Sequence, residues 1–337
     1  MYRPRSFRGP MRRVELDGNL YYLGDCVEGA RRHLADGSVD LMVTDPPYGI
    51  GGDRLDQHYN RDETLVVDGY VEVPGEEYGE FTHRWVAEAA RVLRPNGSMY
   101  VVSGYTNLYH VLDALRATGL REVNHVVWRY SFGVHTTRKY VSSHYHVLYY
   151  ERPGPGRRTF NANVRFGPGE RGPDGRSLDY ADREDVWAID REYKPGRHKN
   201  RNELPRELLV KMLQYSSSPG DLVCDMFMGG FGTARAAVGL GRRFVGFEVS
   251  PPIFEAGVER MRDVRGGDLV PTLRVPRGEA PSRRGQRWTG EETARLVERY
   301  GEMRAEGMTK ARAVEHLGEQ FGRGRFAITN VLRRQAL

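Results

Sequence analysis

Four consecutive residues, Asp45-Pro46-Pro47-Tyr48, combine a carboxylate, two rigid imides and an aromatic face. Two prolines fix φ and remove two amide donors, so the backbone here offers carbonyls rather than N–H groups. Such a set suits a planar substrate that carries an amino group. The NH2 donates to Asp45 and to the Pro46 carbonyl while the ring lies on Tyr48. Taken alone, the stretch reads equally well as a strand followed by a proline turn with a surface tyrosine.

A second stretch, Asp225 followed by Phe227-Met228-Gly229-Gly230-Phe231-Gly232-Thr233, puts a glycine loop between an acid and a helical run. Glycines let backbone approach a ligand closely at a helix N-terminus. Glu248 then ends the next apolar run, where an acid commonly partners a ribose hydroxyl pair. The loop alone also suits plain tight packing, but with Glu248 at that spacing it becomes a nucleoside site. Asp45 and Asp225 are 180 residues apart. Each follows its own strand, so both can reach one edge of one sheet.

The elements that must position them follow from periodicity. Runs at 20–23, 39–43, 98–103, 123–128, 144–150, 222–225 and 244–247 read as seven strands, that at 144–150 with an antiparallel option. Helical patterns alternate with them at 27–34, 81–93, 108–117, 204–215 and 234–240. The opening order of strand, helix, strand implies parallel pairing with a right-handed crossover. Residues 51–79 have no sustained period, and their place after Tyr48 marks them as an expected active-site lid. Residues 153–199 hold seven glycines and five prolines, with ten Lys/Arg against eight Asp/Glu. They read either as a linker or as an insert that reads substrate, anchored by Val186-Trp187-Ala188-Ile189.

The chain is 337 residues long with a formal charge of +6, which permits a nucleic-acid partner. Its two cysteines, Cys26 and Cys224, form neither a disulfide framework nor a metal-spacing cluster, so a cytoplasmic setting and no metal are expected. They read as small buried apolar residues. No apolar stretch reaches the roughly 20 residues that span a bilayer. Residues 1–13 form a basic arm without the apolar core of a signal peptide.

Thr44-Asp45-Pro46-Pro47-Tyr48-Gly49 with the later Val223-Cys224-Asp225-Met226-Phe227-Met228-Gly229-Gly230 resembles the amino-group DNA methyltransferases, in the beta order of acceptor motif first. Gly24-Asp25, Arg91 to Gly97, Asp185-Val186-Trp187 and Ser218-Pro219-Gly220-Asp221 extend the resemblance over about 20–255. The resemblance implies a Rossmann-like, S-adenosylmethionine-dependent methyltransferase fold: α/β, with a seven-stranded, mostly parallel sheet and helices on both faces. It places the catalytic domain at 14–261 with a target-recognition insert at about 153–199. Asp25, Asn202, Asp225, Phe227, Gly229, Gly230 and Glu248 become the cofactor-binding candidates, and Asp45, Pro46, Pro47 and Tyr48 the catalytic ones. Two departures stand out. Phe231 occupies the second glycine position of the usual loop pattern, and Asn202-Glu203-Leu204-Pro205 replaces a lysine-bearing stretch.

An exocyclic amino group is a poor nucleophile because its lone pair is delocalised into the ring. Asp45 and the Pro46 carbonyl would orient its hydrogens and favour a pyramidal nitrogen during in-line transfer. Neither Cys26 nor Cys224 follows a proline, as the nucleophile for carbon-5 methylation of cytosine typically does. The adenine 6-amino group is preferred because Asp45 opens the motif, with the cytosine 4-amino group as the alternative. An RNA amino-methyltransferase and a non-catalytic DNA-binding protein on this fold are the other readings. Double-stranded DNA is the expected partner, and a homodimer and a cognate restriction endonuclease are compatible with the chain.

Residues 262–287 read as a linker. Beyond it, helical stretches at 291–304, 310–321 and 326–334 follow the N-caps Thr289 and Thr309. Trp288, Leu296, Val314, Leu317, Phe326, Ile328 and Leu332 are their expected core. From 282 to the end there are 12 Lys/Arg against 7 Asp/Glu, most of the chain's excess charge. This all-α segment, 288–337, resembles a Myb-like helix-turn-helix domain through Arg287-Trp288-Thr289-Gly290-Glu291-Glu292; a solvated appendage or dimer arm is the other reading. Arg138, Lys139, Arg323, Arg325 and Arg333 are the candidate DNA contacts.

Overall fold

A computed structural model describes residues 10–49, 73–131, 137–192, 203–277, 283 and 286–335. The chain divides into two compact units: Met1–Asn161 with Asp185–Leu273, and Ala162–Glu184 with Arg274–Leu337.

The first unit is built on a sheet that has nine strands among the described residues, in the order β1-β2-β9-β8-β3-β4-β6-β5-β7. These are β1 (Arg12–Leu16), β2 (Asn19–Leu23), β3 (Val39–Thr44), β4 (Leu93–Ser103), β5 (Arg121–Arg129), β6 (His144–Glu151), β7 (Val186–Ala188), β8 (Leu222–Asp225) and β9 (Arg243–Glu248). The seven expected strands are present, and the count of seven is corrected by two short ones. Strand β1 begins inside the supposed basic arm at Arg12 and pairs antiparallel with β2. Asp17 (φ 49°) and Gly18 (φ 77°) turn the chain between them, the positive-φ pair that tight hairpins require. Strand β7 is three residues of the apolar anchor; it pairs parallel with β5, burying Trp187 and exposing Val186 and Ala188. The centre, β2-β9-β8-β3-β4, is parallel, and β6 is antiparallel to both neighbours.

Successive residues on a strand point to opposite faces, so the central strands, apolar on both faces along most of their length, demand cover on both. One face carries α5 (Arg206–Ser216), α6 (Gly232–Gly239) and α7 (Pro251–Met261), whose Leu209, Met212, Ala237 and Phe254 pack with Leu41, Val43 and Val223. The other carries α1 (Cys26–His33), α2 (Tyr78–Val92) and α3 (Leu108–Arg116), whose Ala30, Trp85, Ala89 and Leu115 pack with Met42, Met99 and Val245. The leucines, valines, methionines and phenylalanine among these each contribute about 1.5–3 kcal/mol by leaving water. Cys26 and Cys224 are buried free thiols within this packing.

The second unit holds α4 (Leu178–Asp182), α8 (Gly290–Ala305), α9 (Lys310–Phe321) and α10 (Arg325–Arg334). Thr289 caps α8 in a reciprocal box with Glu292, Thr309 caps α9, and Gly322 (φ 59°) ends it. Leu296, Tyr300, Met303, Val314, Leu317, Ile328, Val331 and Leu332 form its core, with Trp288 packed on the edge. Phe326, expected there, is 79 % exposed. The buried face of α10 is Ile328, Val331 and Leu332, spaced three and four apart, and Phe326 lies off it. The helices share their unit with 162–184, where Glu170 accepts from the Arg277 backbone N–H and pairs with Arg274. This unit is therefore not made of the terminal helices alone.

Candidate active site

Strand order gathers acids that the sequence scatters. Asp25, Glu248, Asp225 and Asp45 stand at or just beyond the carboxyl ends of β2, β9, β8 and β3, four neighbouring parallel strands. Leu23 is level with Glu248, and the Gly24 N–H donates to the Glu248 carbonyl at 2.8 Å. This is the edge where open α/β sheets place their ligands.

Each acid is differently held. Asp25 caps α1, accepting from the Glu28 N–H at 2.9 Å. Asp225 is buried and committed within the protein. Its Oδ1 accepts from the Thr44 hydroxyl at 3.0 Å and the Phe227 N–H at 2.9 Å, and Thr233 bonds it as well. The sequence placed Asp225 among the cofactor-binding candidates; its carboxylate also ties the acceptor strand to the glycine loop. Glu248 accepts backbone N–H groups from Gly229 on one oxygen and from Ser250 on the other, both at 2.8 Å, and is bonded by the Val249 N–H as well. That fixes the plane of its carboxylate and leaves it acceptor capacity for a further donor. Asp45 accepts from the Tyr48 hydroxyl at 2.7 Å.

Burial raises three of these carboxyls far above the ordinary range. Asp45 reaches about 7, with the Tyr48 hydrogen bond and the charge of Arg191 lowering it and Asp225 raising it. Asp225 reaches about 6 and Glu248 about 7, each held down by its hydrogen bonds. Asp225 adds to the rise at both Asp45 and Glu248, so a cation placed among the three would favour their ionised forms.

The glycine loop solves its own local problem. Phe231 takes a left-handed conformation (φ 63°, ψ 27°) as the N-cap of α6. A phenylalanine there is strained, but its fully buried ring stacks 5.5 Å from Tyr21 and meets Phe254 edge-on at 5.9 Å. The ring thus anchors the loop where the family pattern has glycine. Gly230 lies against the Glu203 carboxylate, which bonds Arg235 at 3.1 Å and Arg260 at 3.5 Å and leaves no space for a side chain. Phe227 packs edge-on against Trp85 at 5.4 Å. Asn202 and most of the expected lid lie outside the described residues.

The comparisons with known proteins decide the family. The N6/N4 methyltransferase family model, described as DNA methylase, matches residues 39–259. The chain belongs to this DNA methylase family. It is 27% identical over 235 residues to the type II methyltransferase M.HpaI of Haemophilus parainfluenzae, covering 69% of this chain and 71% of that one. Among solved structures, the fold superposes on the M1.HpyAVI–SAM complex with a TM-score of 0.51 at 19% identity, covering 72% of this chain and 98% of that one. It also superposes on the PvuII DNA methyltransferase (cytosine-N4-specific) with a TM-score of 0.52 at 15% identity, covering 76% and 93%.

In this methylase the acceptor loop is braced by residues that the motif alone does not reveal. Asn107, before α3, donates to the carbonyls of Tyr48 (2.7 Å) and Gly49 (3.1 Å). Gly49 has φ 65°, and a Cβ there would meet the Tyr78 ring at 2.4 Å. Behind Tyr48 stands an aromatic group: Tyr145 at 5.6 Å, and Trp128 and Tyr130 each 5.6 Å from Tyr145. The Arg191 guanidinium lies over Tyr130 at 4.6 Å and over Tyr145 at 5.1 Å.

The DNA-binding candidates separate into two kinds. Arg138, Lys139, Arg325 and Arg333 are exposed. Arg323 is 4% exposed and is removed from that set. Its guanidinium donates to the carbonyls of Arg283, Gln286 and Arg287, pairs with Glu292 at 3.1 Å, and lies over Trp288 at 4.6 Å. It binds the chain before α8 to the end of α9, which is a folding role.

No helix among the described residues is long and apolar enough to cross a membrane.

Proposed function

We propose that this methylase transfers a methyl group from S-adenosylmethionine to the exocyclic amino group of a base turned out of duplex DNA. The 6-amino group of adenine is preferred and the 4-amino group of cytosine is the alternative. The observation that carries the reading is the meeting of Asp45 and the Glu248–Gly229 loop at one sheet edge. Glu248 and the backbone of Gly229 and Gly230 would hold the cofactor, with Phe227 beside them. Three buried carboxyls held above their ordinary range suit a cation, which is the fit that a sulfonium requires. Bound there, the cofactor supplies an already activated methyl group, so the protein's task is position.

Asp45, once ionised, accepts a hydrogen of the amino group and holds the nitrogen's lone pair out of conjugation. The Pro46 carbonyl takes the second hydrogen, and the Tyr48 ring supports the base face. Extracting the base costs a few kcal/mol, of which stacking returns about 1–3. The terminal helices, as a helix-turn-helix-like element, would add phosphate contacts through Arg325 and Arg333. A homodimer, a cytoplasmic setting and a restriction endonuclease of matching specificity belong to the same proposal. Asp45→Ala tests it: transfer should vanish while isothermal titration still registers S-adenosylmethionine binding. Near-normal turnover by that variant would contradict the assignment.

A further inference from the structure

The aromatic group behind Tyr48 encloses the cation Arg191, which no family motif above assigns and whose only role so far is to favour the ionised form of Asp45. Its position is fixed by the backbone before it. The Trp128 indole N–H donates to the Ile189 carbonyl at 2.8 Å, the Ile189 N–H donates to Arg129 at 3.1 Å, and Asp190 accepts from Ser131. The guanidinium lies on the faces of Tyr130 and Tyr145 and bonds the latter. Its charge reaches both Asp45 and Tyr48. Yet its Nε–H is buried and has no hydrogen-bond partner among the described residues. A buried donor left unpaired costs about 1–3 kcal/mol, so it usually marks a missing acceptor.

We infer that Arg191 is a positioning residue for the target base, its Nε–H donating to the ring nitrogen next to the exocyclic amino group. This rests on the proposed methyl transfer to an amino group. Adenine and cytosine share one edge pattern: an amino donor beside an unprotonated ring nitrogen, N1 or N3. Guanine and thymine present the reverse, a carbonyl beside a ring N–H. Asp45 accepting and Arg191 donating therefore match both amino bases and set two donors or two acceptors face to face for the others. Hydrogen bonding to the ring nitrogen draws electron density from the amino group. The benefit accordingly falls on capture of the flipped base, in KM for DNA, rather than on kcat.

The test is a cycle between residue and atom. A duplex containing the methylated site is prepared with adenine or with 1-deazaadenine at the target, or 3-deazacytosine if cytosine is the base modified. Wild-type protein and Arg191→Met are compared on both. The expected result is a rise of about 10- to 100-fold in KM for wild type on removal of the ring nitrogen, the range for a hydrogen bond from a charged donor. Arg191→Met should show that rise already on the natural duplex, with little further loss on the deaza duplex and unchanged S-adenosylmethionine affinity. If the methionine variant fails to bind cofactor, Arg191→Lys, which keeps the charge without the planar donor, replaces it in the cycle. Losses that simply add overturn the role of Arg191 while leaving methyl transfer intact. A wild-type protein that transfers no methyl group to the natural duplex overturns the underlying reading instead.

Discussion

The Tyr48 hydroxyl, which the sequence reading left without a role, donates to Asp45, the carboxylate proposed to accept the substrate's amino hydrogen. In the proposed transfer Asp45 acts in its ionised form, and burial raises it to about 7. Activity should therefore rise with pH through an acid limb near 7 in kcat/KM. Tyr48→Phe removes a bond that favours the charged form, so its limb should move up by about 1 pH unit, equivalent to about 1.4 kcal/mol, with the plateau retained. A pH–rate profile that does not move would place that hydroxyl outside the catalytic balance. Glu248→Ala should weaken S-adenosylmethionine binding by about 1.5–3 kcal/mol, read by titration calorimetry; an unchanged dissociation constant would move the ribose partner elsewhere. Asp45, Tyr48, the glycine loop and Glu248 were legible because each lies in a short contiguous run. Thr44 as partner of Asp225, Asn107 and Arg191 were not, since their roles depend on contacts across 181, 59 and about 60 residues.

At the scale of strands and helices, the informative feature is the edge formed by β9, β8 and β3. Its three raised carboxyls hold protons that the unfolded chain, with ordinary carboxylates, has already released. Their contribution to stability is full below the unfolded values and is lost as pH rises through about 6 to 7. A bound sulfonium reverses that loss by favouring the ionised forms. The melting temperature without cofactor should thus fall from pH 5.5 to 8, and saturating S-adenosylmethionine should raise it more at pH 8 than at 5.5. Equal gains at the two pH values would mean that these carboxyls do not feel the cofactor. Phe231→Gly weighs two opposed effects. Relief of left-handed backbone is worth about 1–2 kcal/mol, and loss of a buried phenylalanine costs about 3–5, so net destabilisation is expected. Seven strands were readable from apolar runs; β1 was hidden by its two arginines and β7 by its length of three residues.

At the scale of the whole chain, periodicity located the three terminal helices to within a residue or two but not their surroundings. No local pattern announces that residues 162–184 share their compact unit. The proposal assigns the helices to phosphate contacts, which position without reading sequence. Truncation after Gly285 should weaken duplex binding and flatten the slope of log K against log salt by about 0.9 per lost contact, while the methylated sequence stays the same. A changed or degenerate site would give base reading to the helices. Unchanged affinity would make them an oligomer arm or a bystander. The central claim, methyl transfer to an amino group by Asp45, is tested most directly by nucleoside mass spectrometry. The DNA would come from cells expressing either the wild-type chain or Asp45→Ala. The account predicts N6-methyladenine from the wild type and none above background from the variant. N4-methylcytosine in its place would correct the base, and the absence of both, or equal amounts from the two strains, would contradict the claim.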